Sequence, residues 1–261
     1  MDRALPFLLA LAAPALGGCK KAPPSQAIYV AAAADLSDAF GEIARRYEKA
    51  TGQGVVISFG ASGLLEKQIA EGAPFDVFAS ANVAFADDAV ASGSCLADSK
   101  ALYATGQLVL FPAPGAPFAA HDVADLADPR IRKIAIANPA HAPYGRAAQQ
   151  ALEKSGVAAA TQPKLVFAEN VHQALQFAQS GNADAALVAR SLVAGAGAVG
   201  AWTPVPAALH DRIDQAIVVC THGRAGADAG RKFAAFVATP ESRTVLTQFG
   251  FALPPEAAGR P

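Results

Sequence analysis

Apolar and polar positions along this chain fall into short blocks that switch between two periods. Ile28-Tyr29-Val30-Ala31-Ala32 and Val55-Val56-Ile57-Ser58-Phe59 are short apolar-rich runs, and each leads through small residues to a helix start. After the first run, Leu36, Ala39, Phe40, Ile43, Ala44 and Tyr47 recur at three- and four-residue steps. That spacing predicts a helix over Leu36–Lys49 with one apolar face, and Gly52 is its stop signal. After the second run, Leu65 and Ile69 continue a helical pattern until Gly72-Ala73-Pro74 breaks the chain before a strand at Asp76–Ala79. Further strands are predicted at Leu108–Phe111, Ile134–Ala137, Lys164–Phe167, Ala185–Val188 and Ala216–Val219. Helices are predicted at Arg146–Lys154, Val171–Ser180, Arg231–Val237 and Glu241–Phe249. Strands alternating with helices predict an α/β fold with mostly parallel sheets flanked by helices.

The two small-residue corners carry the first chemical signal. Ala33-Ala34-Asp35-Leu36 and Gly60-Ala61-Ser62-Gly63 each place a helix start directly after a strand. The first turn of a helix leaves backbone N–H groups without internal partners, and the macrodipole adds roughly half a positive charge there. Such a corner seats an oxyanion without a basic side chain, and small residues let the ligand approach closely.

Composition narrows the field. With 261 residues, 52% of them hydrophobic and 16% charged, the chain is long enough for a substantial core or for two lobes. Its formal net charge is −1 and its basic runs do not exceed Lys20-Lys21, so a nucleic-acid partner is not expected. Arg3 precedes an apolar stretch from Ala4 to Leu16 that is short of the ~20 residues a bilayer span needs and is interrupted by Pro6 and Pro14. Residues 1–18 therefore read as an export signal. Leu16-Gly17-Gly18-Cys19 resembles the bacterial lipoprotein box, which implies lipidation at Cys19 and a tether over residues 19–26.

Catalytic signatures are weak. Gly60-Ala61-Ser62-Gly63-Leu64 misses the nucleophile-elbow pattern at its last glycine, and there is no P-loop. The five histidines show no pair at metal-ligand spacing. Neither an enzyme nor a directly bound metal is expected. Of the remaining cysteines, Cys95 and Cys220, the second ends the apolar run Ala216-Ile217-Val218-Val219 and reads as a buried free thiol, although an exported protein also permits a disulfide.

The order of motifs carries a resemblance. Ala33-Ala34-Asp35-Leu36, Phe59-Gly60-Ala61-Ser62, Gly72-Ala73-Pro74-Phe75-Asp76-Val77, Pro143-Tyr144-Gly145, Ala168-Glu169-Asn170-Val171 and Gly181-Asn182-Ala183-Asp184 follow one another in this order. From about Ile28 to Pro254 the chain resembles the periplasmic molybdate-binding proteins of ABC importers. The resemblance implies a two-lobed, periplasmic-binding-protein-like α/β fold of type II, with the ligand in a cleft between lobes joined by two crossover strands. Residues 27–106 plus 218–261 are expected to form lobe I, and residues 107–217 lobe II. It also implies a small oxyanion ligand, molybdate or tungstate, with metal present only inside the oxyanion and no cofactor. An ABC permease and its ATPase are the implied partners, for a monomeric receptor at the periplasmic or extracytoplasmic face. A divergent lipoprotein with another cargo, and a surface interaction protein without a transport role, remain alternatives.

Carried over position by position, the resemblance implies ligand contacts at Asp35, Ser62, Tyr144 and Val171. Ser62 would offer its hydroxyl and amide, and Tyr144 and Val171 mainly their backbone N–H. Two positions depart from the pattern: relatives commonly have serine or threonine at the position of Asp35, and many have tyrosine at that of Ala189. Asp35 has three readings. It can cap the helix that follows, contact a ligand rich in donors or positive charge, or hold a proton and donate it to an anion. Arg146, His172 and Arg190 are cations near the expected cleft, and Arg190 could offset the charge of Asp35.

Overall fold

The computed structural model describes residues 26–116, 121–194 and 201–254, so the export segment, Cys19 and nearly all of the tether lie outside the described residues. Among the described residues, ten strands and eight α-helices follow in chain order: β1 (Ile28–Ala33), α1 (Ser37–Thr51), β2 (Val55–Gly60), α2 (Ser62–Ala70), β3 (Val77–Ser80), α3 (Val83–Ala91), β4 (Ala101–Gly106), β5 (Leu108–Pro112), β6 (Ile134–Ala137), α4 (Pro143–Lys154), α5 (Ala158–Thr161), β7 (Leu165–Ala168), α6 (Val171–Gln179), β8 (Ala185–Ala189), β9 (Thr203–Pro204), β10 (Ile213–Val219), α7 (Ala227–Val237) and α8 (Pro240–Gln248). Helix α1 forms because its apolar positions share one stripe: Ala39, Phe40, Ile43, Ala44 and Tyr47 are buried, and Gly52 ends it in the left-handed conformation at φ 73°. Its start differs from expectation, because Ala34–Leu36 form a separate 3-10 turn ahead of Ser37.

The strands form two sheets of five, ordered β2-β1-β3-β10-β4 and β7-β6-β8-β5-β9. Each sheet carries helices, giving the two-lobed α/β architecture. The sheets are mixed rather than mostly parallel. β1 pairs in parallel with β2 and β3, and β6 with β7 and β8, while β10 and β5 run antiparallel to their neighbours. The antiparallel strands are those next to the crossings. β4 leads through Gln107 straight into β5, and the chain returns between β9 and β10. Because β10 pairs with β3 and β4 from Ile213 onward, residues 213–217 belong to the first sheet rather than to lobe II.

One expectation is overturned. Cys220 is not a free thiol: it is joined to Cys95 across 125 residues of sequence. The segment after α3 runs beside the end of β10 as an antiparallel bridge at these two residues, which brings the sulfurs together.

Candidate functional site

A strand that stops at the edge of an open sheet and turns into a helix presents that helix's first turn to whatever lies beyond the sheet. Four such corners meet here. The ends of β1 and β2, the loop from β6 into α4 and the loop from β7 into α6 line one pocket, with Ala81 after β3 closing a side. Its walls are Ala33, Ala34, Asp35, Gly60, Ala61 and Ser62 from the first lobe, facing Ala142, Pro143, Tyr144, Asn170 and Val171 from the second. About 200 Å³ of empty space lies between these atoms. The lobes therefore stand close together.

Two hydrogen bonds hold them so. The Gly63 N–H donates to the His141 carbonyl at 2.9 Å, and the Ser191 hydroxyl donates to the Asp35 carbonyl at 2.7 Å.

The four principal candidates from the sequence, Asp35, Ser62, Tyr144 and Val171, all line this pocket and all are buried. Ser62 is the first residue of α2, Tyr144 the second of α4 behind Pro143, and Val171 the first of α6. Their amides sit too early in those helices to find an internal acceptor. Ser62 Oγ accepts from the Ala81 N–H at 3.0 Å, which fixes the side chain and leaves its hydroxyl hydrogen free to turn toward a ligand. It makes no side-chain cap on α2. Asn170 caps α6 through its side chain, accepting from the Gln173 N–H at 3.0 Å, so the corner before Val171 is held rigid.

Ala189 and Arg190 are not among the pocket residues, nor are Arg146 and His172. Arg190 donates to the Gln107 side chain at 2.7 Å and lies over the Trp202 ring at 5.5 Å, packed against Gly250. It serves the crossover region and does not offset Asp35. The pocket thus offers amide and hydroxyl donors and, among its lining residues, no basic side chain.

Asp35 does not cap α1, which overturns the first of its three readings: neither the 3-10 turn nor α1 receives a side-chain cap. The carboxylate turns instead toward residues far away in sequence. Gln215 on β10 donates through Nε2 to Asp35 Oδ2, and Tyr103 on β4 donates to Gln215 Oε1 at 2.7 Å, which fixes the amide's orientation. Asp35 Oδ1 and the Tyr144 hydroxyl are buried without hydrogen-bond partners. Tyr144 lies near enough to Asp35 to hold its pKa down somewhat, but makes no bond of ordinary geometry. Burial outweighs the effects of Gln215 and Tyr144 and raises the Asp35 pKa from 3.8 to about 6. Burial pushes the Tyr103 and Tyr144 hydroxyls well above their usual range, and the nearby Asp35 charge adds to this.

The path of the Tyr144 side chain was not legible from sequence. Its ring is buried in the core and its hydroxyl reaches the crossover, where a methyl group added to Gly106 would collide with it. Gly106, Gln215 and Tyr103 are the contributors that sequence reasoning missed. Only the strand-breaking glycine between the two apolar stretches Ala101–Ala104 and Leu108–Phe111 hinted at any of them.

Residues 28–252 match the family described as bacterial extracellular solute-binding protein. Over 248 residues the chain is 35% identical to the molybdate-binding protein ModA of Rhodobacter capsulatus, covering 95% of this chain and 94% of that protein. It is 36% identical over 252 residues to the molybdate-binding protein ModA of Azotobacter vinelandii, covering 95% and 99%. The solved Azotobacter vinelandii periplasmic molybdate-binding protein superposes with a TM-score of 0.81 at 32% identity, over 87% of this chain and 99% of that one.

Proposed function

The chain belongs to the bacterial extracellular solute-binding proteins, and from that premise we propose that it is the receptor of an ABC importer, binding molybdate or tungstate in the cleft between its lobes. One observation carries this reading. The first-turn amides of Ser62, Tyr144 and Val171 come from three helices on both lobes and meet in one small pocket with the Ser62 hydroxyl. Donors aimed inward without a cationic side chain suit an anion that is desolvated and hydrogen-bonded rather than ion-paired. Because both lobes contribute donors, a ligand bridges them and favours the closed arrangement over an open one.

The same reading places the protein outside the cytoplasmic membrane, as a monomer held by lipid at Cys19 and delivering cargo to a permease and ATPase. Its support is the export segment ahead of Cys19 and the family's extracellular description. Lobe I would comprise residues 27–106 and the chain from Ile213 onward, and lobe II the residues between, with Gly106-Gln107-Leu108 as one hinge crossing.

Calorimetric titration of the purified protein with molybdate, tungstate, sulfate and phosphate tests the proposal. Saturable binding of molybdate and tungstate, with sulfate and phosphate far weaker, is expected. No binding of any of the four would transfer the case to the alternative of a divergent cargo.

A further inference from the structure

Resting on that reading, we propose that Asp35 takes up a proton when the oxyanion enters, and that the neutral carboxyl then donates a hydrogen bond to it through Oδ1. The geometry points there in steps. Asp35 is fully buried and lines the pocket. Oδ2 already accepts from the Gln215 amide, whose own oxygen is held by Tyr103, so Oδ2 is committed as an acceptor. Oδ1 is buried with the Tyr144 hydroxyl near it but no bond of ordinary geometry between them, and an ionised Oδ1 could only accept, which an oxyanion cannot satisfy.

Among the described residues, no cation pairs with Asp35 or lowers its pKa. Tyr103 faces Asp35 from β4 and Tyr144 from α4, and both stay neutral because burial pushes their hydroxyls upward. The 3-10 turn Arg190–Leu192 contributes Arg190, which is committed to Gln107 and Trp202. Helix α6 contributes the half-buried His172, the first turn of α1 carries the exposed Asp38, and β2 has no titratable side chain.

Magnitudes favour the proton. An ionised carboxylate at about 4 Å from an anion, with an effective dielectric near 20, weakens binding by about a thousandfold per unit of ligand charge. Holding the carboxyl protonated one pH unit above its pKa weakens it only about tenfold. Burial has already moved that pKa to about 6, so little further change is needed at neutral pH.

Titration of the whole protein with dilute sodium molybdate, in buffers of differing ionisation enthalpy, counts the protons. At about pH 8 close to one proton should be absorbed per molybdate bound, falling toward zero at about pH 5, where Asp35 is already neutral in the free protein. The dissociation constant should rise about tenfold for each pH unit above about 6. Asp35→Asn, which keeps the shape and a fixed donor, should bind with no proton uptake and a flat pH profile. Molybdate heat without proton uptake at about pH 8, or uptake unchanged in Asp35→Asn, overturns this inference and leaves the receptor reading standing. No molybdate heat at either pH overturns both.

Discussion

Replacing Asp35 with asparagine removes a charge that the fold buries at a loss, so in the ligand-free protein Asp35→Asn should be stabilising at neutral pH. The pKa is raised from 3.8 to about 6, with burial as the dominant cause. A carboxyl that binds its proton more tightly when folded contributes full stability below about pH 4, and that stability is lost as pH rises through about 6. At about 1.36 kcal/mol for each pH unit, the interval from 3.8 to about 6 corresponds to about 3 kcal/mol. Asparagine keeps an oxygen to accept from Gln215 and does not titrate. Urea unfolding of both proteins, followed by far-ultraviolet circular dichroism at about pH 4 and about pH 7.5, reads the effect. Other titrating groups cancel in the difference between the two proteins. The variant should match wild type at the lower pH and exceed it by up to about 3 kcal/mol at the higher. A variant equally or less stable at about pH 7.5 would mean that the folded state stabilises the ionised carboxylate, and the burial argument would be wrong.

Other perturbations test separate links. Gly106→Ala drives a methyl group into the Tyr144 hydroxyl beside Gln215, and overpacking of this kind costs about 1–3 kcal/mol. Thermal melts should show that loss, with partial recovery on adding Tyr144→Phe; an unchanged melt would remove Tyr144 from the crossover. Ser62→Ala strands the buried Ala81 N–H, so stability should fall by about 1–3 kcal/mol along with a tenfold or greater weakening of molybdate binding, and a melt identical to wild type would contradict the bond described. Reducing the Cys95–Cys220 bond, which closes a separation of 125 residues, should lower stability by about 2–5 kcal/mol in unfolding measured with and without dithiothreitol. Identical curves would show the two thiols unpaired.

Local periodicity made the first helix and most of the strands legible, because burial of one face is written at three- and four-residue steps. Helix α3 was missed: in Val83–Ala91 alanines and two aspartates blur the apolar stripe, and only Ala86 and Ala89 are buried. β4 was missed because it is an edge strand with Leu102 exposed, so its pattern does not alternate cleanly. A small-residue corner made the helix start at Ser62 legible, since a helix start after a strand is a local property, whereas Val171 was pointed to only by the resemblance. The partners of Asp35 were not legible. Gln215 lies 180 residues away and meets it only because β10 returns to the first sheet, and the cap reading failed because the carboxylate follows that distant amide rather than its own helix. The disulfide was hidden for the same reason, since its pairing is set by where β10 ends.

A crystal structure grown with molybdate, with an anomalous difference map at the molybdenum absorption edge, tests the central claim most directly. The account predicts one strong peak between the lobes, its oxygens within hydrogen-bond reach of the Ser62, Tyr144 and Val171 amides. A peak elsewhere on the molecule, or none in that pocket at saturating molybdate, would contradict it.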